Sequence, residues 1–175
     1  MQNAIIVQDK DNHHIVIIPD IIFSNKQNIN WGDVENYLKQ YIDIIVEITE
    51  SKDIVYIGKN FPNEFSSSKY TRILKGARAK AKANAVQGIR EMLEIAANKT
   101  YCQNHKTKHN SDAQNGWYYY ITRFALPIYE NKIKTNQYNI YTGRLVINHT
   151  STGKMYLYDL VDIKKEASNP FKPTM

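Results

Sequence analysis

Residues 117–129 (WYYYITRFALPIY), 138–149 (YNIYTGRLVINH) and 154–163 (KMYLYDLVDI) read as three consecutive β-strands. Each is dense in β-branched and aromatic residues, which fit a pleated, half-buried surface. Residues 131–136 separate the first two, and Ser151-Thr152-Gly153 lies between the second and third. Short polar turns of this kind join antiparallel neighbours, so a meander is expected. Tyr118, Tyr119 and Tyr120 are consecutive, and alternation along a strand puts their rings on both faces.

Upstream the pattern changes. Residues 71–98 are rich in helix formers, with alanine at 77, 79, 81, 83 and 85. Gly76 and Gly88 are the expected kinks or ends of a helix in two pieces. The second piece has an apolar face in Ile89, Met92, Leu93, Ile95 and Ala96. The first sets Lys75, Arg78, Lys80 and Lys82 among alanines; it offers little to bury and reads as a surface that approaches a polyanion closely. Residues 99–116 are polar, end at Gly116 and read as a loop bearing function.

Nearer the N-terminus, residues 54–58 (IVYIG) read as a strand that Asn60-Phe61-Pro62-Asn63 closes. Asn30 caps an expected helix whose Trp31, Val34, Leu38, Tyr41, Ile45 and Ile48 recur at helical spacing. Residues 4–8 and 13–19 read as a hairpin about a polar turn. His13 and His14 are adjacent, so on a strand they point to opposite faces and cannot share one metal. The expected fold is α+β: an N-terminal β-hairpin and helices, then a three- to five-stranded, mainly antiparallel sheet. Residues 1–50 would pack on a main domain of 51–175.

The net charge of +6 is unevenly placed. Residues 66–110 hold ten Lys and Arg against Glu91 and Glu94, whereas residues 1–65 carry an excess of acids. A concentrated basic block suits a phosphate backbone better than a scattered excess does. The bland alternative is a solvated lysine face. Cys102 is the one cysteine, so no intrachain disulfide is available and nothing points to an oxidising compartment. No apolar run approaches the ~18 residues that span a bilayer, and the polar start is not a signal peptide. A cytoplasmic protein without a membrane partner is expected.

Paired-cysteine spacings, HExxH, EF-hand loops, glycine-rich phosphate loops and the G-x-S-x-G elbow are all missing from the sequence. No cofactor and no metal are therefore expected. Acid–base and cationic residues remain, and metal-independent RNA cleavage uses such a set: a base for the 2′-OH, an acid for the leaving 5′ oxygen, and a cation for the phosphorane. His109, Arg123 and His149 suit these catalytic roles. Lys69, Arg72, Lys75, Arg78, Lys80, Lys82, Lys106 and Lys108 are the candidate phosphate contacts. Arg123 lies mid-strand and wants an anionic partner. A phosphate, Asp159 or Asp162 would each serve. Some of the thirteen tyrosines are candidates for stacking on bases, although most strand tyrosines simply pack.

Three runs carry a resemblance: SKYTRILKGARAKAKANAVQGIREMLEIA, KHNSDAQNGWYYYITRFALPIY and GKMYLYDLVDIKKE. They resemble domains of phage and mobile-element polyvalent proteins, a layout similar to the barnase–EndoU–colicin–RelE group of metal-independent ribonucleases. The resemblance covers about residues 50–168. It implies an endoribonuclease of phage or mobile-element origin acting on RNA, with single-stranded DNA as the other substrate. It also implies an anti-CRISPR setting, in which the protein trims a guide RNA or grips a host defence ribonucleoprotein. No acidic general base stands in a barnase-like pattern, which leaves a histidine scheme or lost activity. The rival expectation is a non-catalytic binder of nucleic acid or of an effector. An ADP-ribosylating domain is a third, but the sheet region offers no convincing catalytic glutamate.

Overall fold

The computed structural model describes residues 3–24, 28–102, 116–167 and 169–173. The meander is present: β6 (Trp117–Glu130), β7 (Ile133–His149) and β8 (Met155–Lys165) pair antiparallel in sequence order. The N-terminal hairpin is present as β1 (Ile5–Gln8) and β2 (His14–Ile17). The fold is α+β, but the sheet is larger than the three to five strands expected. It has eight strands in the order β1-β2-β6-β7-β8-β4-β3, with β5 also on β6.

Two of the additional strands were hidden by their sequences. β3 (Ile45–Glu47) sits where a helix was expected to continue, because Ile45 and Ile48 keep the helical spacing. The helix α1 (Trp31–Leu38) in fact ends in a short 3-10 turn, and Asp43, with φ 73°, turns the chain into β3. Asn30 caps α1 as expected, its side chain accepting from the Asp33 N–H. β5 (Ala97–Cys102) occupies the start of the expected polar loop; its side chains are largely exposed, so it lacks an apolar signature. β4 (Ile54–Tyr56) pairs with β3, so a boundary at residues 50/51 falls inside one sheet.

The sheet is mixed. β2 joins β6 in parallel at Phe124 and Ala125, and β4 joins β8 in parallel at Met155 and Tyr156. β6 is long enough to take two partners along one edge, β5 on its first half and β2 further on, while β7 covers the other edge.

Helices α2 (Phe61–Ser67), α3 (Lys69–Ile73), α4 (Gly76–Ala85) and α5 (Ile89–Glu94) lie against one face of this sheet with α1. Gly76 opens α4, and Gly88 precedes α5. At Gly88 a Cβ would meet the Val16 and Ile18 side chains at 2.8 and 2.9 Å, so glycine lets the hairpin close on the helix layer. The expectation that α4 has little to bury is corrected: Ala79, Ala81, Ala83 and Ala85 are buried, because small side chains permit close packing on the sheet. Tyr120, Phe124 and Leu126 of β6 point into this core, while Ala125 on the opposite face joins a smaller cluster with Ile15, Ile17, Tyr138 and Ile140. Among the described residues no helix is long and apolar enough to cross a membrane.

Candidate active site

Of the three expected catalytic residues the structure describes two, and it does not bring those two together. His109, with Lys106 and Lys108, lies outside the described residues. Arg123 and His149 are on different faces of the sheet. His149 ends β7 on the helix-bearing face, its ring 5.6 Å from that of Tyr118, whereas Arg123 alternates with the core residues Thr122 and Phe124 and points the other way. Arg123 is paired with Thr142, seven residues before His149 on β7, which at about 3.3 Å per residue is roughly 23 Å along the strand.

Arg123 does have anionic partners, but neither Asp159 nor Asp162. Its Nε and Nη2 donate to the two Glu166 carboxylate oxygens at 2.9 and 3.0 Å, and Nη1 donates to Asp9 Oδ2 at 2.9 Å. Hydrogen bonding to Glu166 raises the Arg123 pKa above its ordinary value, against the opposing effect of burial. The fork-to-carboxylate geometry is that of a strong ion pair. It ties the β1–β2 turn to the end of β8. Asp162 pairs instead with Arg144 at 3.0 Å.

Lys82 is also corrected. It is fully buried, donating to Asp159 Oδ1 and to Thr71 Oγ1, each at 2.6 Å, with its Nζ 4.5 Å from the Phe65 ring centroid. Burial pushes the ammonium below its ordinary value and the Asp159 carboxyl above its own, and each charge pulls the other back. The helix turns this lysine inward, so it cannot touch a phosphate backbone. Lys69, Arg72, Lys75, Arg78 and Lys80 are exposed on α3, α4 and the residues between them. Arg72 and Lys80 line a cavity of about 420 Å³ together with Trp31.

A cluster that the sequence did not announce surrounds His149. Asp53, in the β3–β4 turn, accepts at Oδ2 from the Tyr120 hydroxyl at 2.5 Å and from Lys99 Nζ at 2.9 Å. Lys99 also lies 4.3 Å from the centre of the Tyr118 ring. The β5–β6 register shifts between Ala97 and Thr100. An irregularity there re-aims side chains, and it holds Lys99 over Asp53. Burial pushes the Asp53 carboxyl up, but hydrogen bonds from Tyr120, Lys99 and Ser51 outweigh it and hold the pKa below the ordinary value. Burial, reinforced by Asp53, raises the Tyr120 phenol and keeps it a donor.

A cavity of about 360 Å³ opens here, lined by Lys52, Asp53, Lys99, Tyr118, His149 and Lys154 among others. Lys99 is paired with Asp53 and Lys52 stands 3.9 Å from Glu47, so Lys154 is the ammonium in excess, and it tilts the cavity toward an anion. Gly116, with φ 94°, supports the end of β7: its carbonyl accepts from the His149 N–H at 3.0 Å, and a Cβ there would stand 2.7 Å from the Tyr101 hydroxyl. Among the described residues no three His, Cys, Asp or Glu side chains converge as metal ligands would. The signals available in the sequence were the tyrosine run and His149; Asp53 and Lys99 join them only through strand pairing.

Comparison of the chain with known protein families, with curated proteins and with solved structures finds no match.

Proposed function

We propose that the chain is a metal-independent ribonuclease whose acid–base chemistry runs at the His149 end of the sheet. The observation that carries this reading is one imidazole beside an anion-favouring cavity, with Lys99 fixed by an ionised Asp53. Imidazoles as a class exchange protons near neutral pH. In this scheme the 2′ oxygen bonds to phosphorus, the P–O5′ bond breaks, and His149 takes the 2′-OH proton. His109 is the sequence's candidate for the acid that protonates the 5′ oxygen. Lys99 and Lys154 take over from Arg123 the role of steadying the phosphorane, since Arg123 is bound to Glu166 and Asp9. The guide RNA of a host defence ribonucleoprotein is the particular substrate that the sequence resemblance implies.

Labelled RNA incubated with the protein in EDTA tests this. Fragments ending in 2′,3′-cyclic phosphate are expected, with a rate about 10²–10⁴-fold lower in His149→Ala. A folded His149→Ala that cuts at the wild-type rate removes His149 from the mechanism. A second reading, a non-catalytic binder, is favoured by the exposed Lys69, Arg72, Lys75, Arg78 and Lys80. It predicts intact RNA and a salt-dependent gel shift.

A further inference from the structure

A larger cavity, about 620 Å³, adjoins the first. Its walls include Tyr56, Asn60, Asn148, Lys154 and Tyr156. Tyr56 and Lys154 line both cavities, so the two meet at these residues, although Asn148 and His149 are consecutive on β7 and leave opposite faces of the sheet. The feature that stands out is Asn148. It is 5 % exposed, and its side-chain Oδ1 has no hydrogen-bond partner. A buried carboxamide oxygen that has lost water without gaining a donor is destabilising, and its persistence calls for a function.

The rest of the cavity defines what that donor belongs to. The Tyr56 and Tyr156 rings lie 5.7 Å apart and form an aromatic wall. Gly58 leaves room for it, since a Cβ there would stand 3.3 Å from Tyr156 Cδ1. Lys154 Nζ is 5.1 Å from the Tyr56 ring centre, and Lys154 lines the His149 cavity as well. A flat group with an edge N–H, tethered to an anion, fits all three features. A nucleotide is such a molecule: bases stack on aromatic faces and are read by side-chain amides at their edges.

We infer that this cavity is a nucleobase subsite. The base of a nucleotide adjoining the scissile phosphate lies against the tyrosine wall, Asn148 Oδ1 accepts from its edge N–H, and Lys154 faces the phosphate. This subsite rests on the ribonuclease reading for its place beside the phosphate, but its binding chemistry is measurable without cleavage.

The test is calorimetric titration of the four ribonucleoside 5′-monophosphates, and of the matching nucleosides, into wild type, Asn148→Leu and Lys154→Ala. Wild type is expected to bind at least one nucleotide, and Asn148→Leu to weaken it at least tenfold. Lys154 is exposed, so its variant is safe for folding; it should weaken the nucleotide and leave the nucleoside unchanged. Wild type that binds no nucleotide overturns the proposal. So does an Asn148→Leu protein that binds as wild type, or a Lys154→Ala protein that loses nucleoside and nucleotide alike. Cleavage of RNA without mononucleotide binding leaves the ribonuclease standing and removes the subsite, whereas binding without cleavage does the reverse.

Discussion

Lys82 and Lys99 each hold an aspartate and each lie against an aromatic ring, yet their surroundings send them to opposite uses. Lys82 is sealed between α4 and β8, with Asp159 at 2.6 Å and both side chains all but fully buried. Lys99 meets Asp53 at 2.9 Å with a third of its side chain open to solvent. The same pair therefore shifts its carboxylate in opposite directions: burial wins at Asp159 and raises its pKa, while hydrogen bonds win at Asp53 and lower it. A sealed ion pair fixes how two layers meet. An open one leaves an ammonium for something outside the protein.

The contrast is broken most forcefully at Lys82. Lys82→Ala leaves Asp159 buried and alone, and it should cost about 3–5 kcal/mol, read from urea unfolding. The double variant Lys82→Met/Asp159→Leu should recover most of that loss, because two apolar groups need no partner. A double variant as unstable as the single one would show that the pair itself is not the issue.

Acid separates the two pairs next. Asp53, Asp9 and Glu166 all sit below their ordinary values of 3.8, 3.8 and 4.5. Their unfolded forms bind protons first, so their stabilisation is present above those values and is lost as pH falls through the lower folded ones. The melting temperature should fall steeply below about pH 4, and Asp53→Asn should flatten part of that slope. Asp159 contributes with the opposite sign, since its raised value lets the folded state accept a proton sooner.

Lys99→Met should change stability by about 0–1 kcal/mol, as for a partly exposed ion pair. On the ribonuclease reading the same substitution lowers cleavage about 10²-fold, because a fixed positive group at the phosphorane is removed. Steady-state rates beside a melting curve separate the two effects. The smallest stability effect belongs to the exposed lysines. Lys75→Glu/Lys80→Glu should alter stability by no more than about 0.5 kcal/mol. For single-stranded RNA, each phosphate left without its lysine should still reduce the logarithmic salt slope of binding by roughly 0.7.

What was legible in the sequence follows from how each element signals itself. β6, β7 and β8 announce themselves through long aromatic and β-branched runs, and Asn30 through its capping chemistry. β3 was concealed because Ile45 and Ile48 satisfy a helical spacing as well as a strand, and only the turn at Asp43 decides between them. β5 was concealed because an exposed strand has no apolar face to show. Lys82 could not be told from Lys75 or Lys80 by composition; the helix phase points one inward and leaves the others outside. The His149 cluster draws on β5, β6, β7 and the β3–β4 turn, and residues nearly a hundred positions apart come together only when the sheet forms. The mid-strand place of Arg123 shows its need for an anion, but the fold meets that need with Asp9 and Glu166, near the two ends of the chain, in place of Asp159 or Asp162.

The mixed sheet has a consequence for the order of assembly. Val16 pairs with Phe124, and Val55 pairs with Met155. Both parallel joints thus wait for segments made about a hundred residues later, and such non-local pairings form slowly. During synthesis the β1–β2 and β3–β4 ribbons emerge with open edges and no strand to receive them. Two-stranded ribbons are marginal on their own. The β6–β7–β8 meander, built from neighbours in the chain, is the platform on which both ribbons dock, so nascent chains stalled before residue 117 should stay protease-sensitive, and those stalled far enough past residue 165 to free the meander from the ribosome should be resistant.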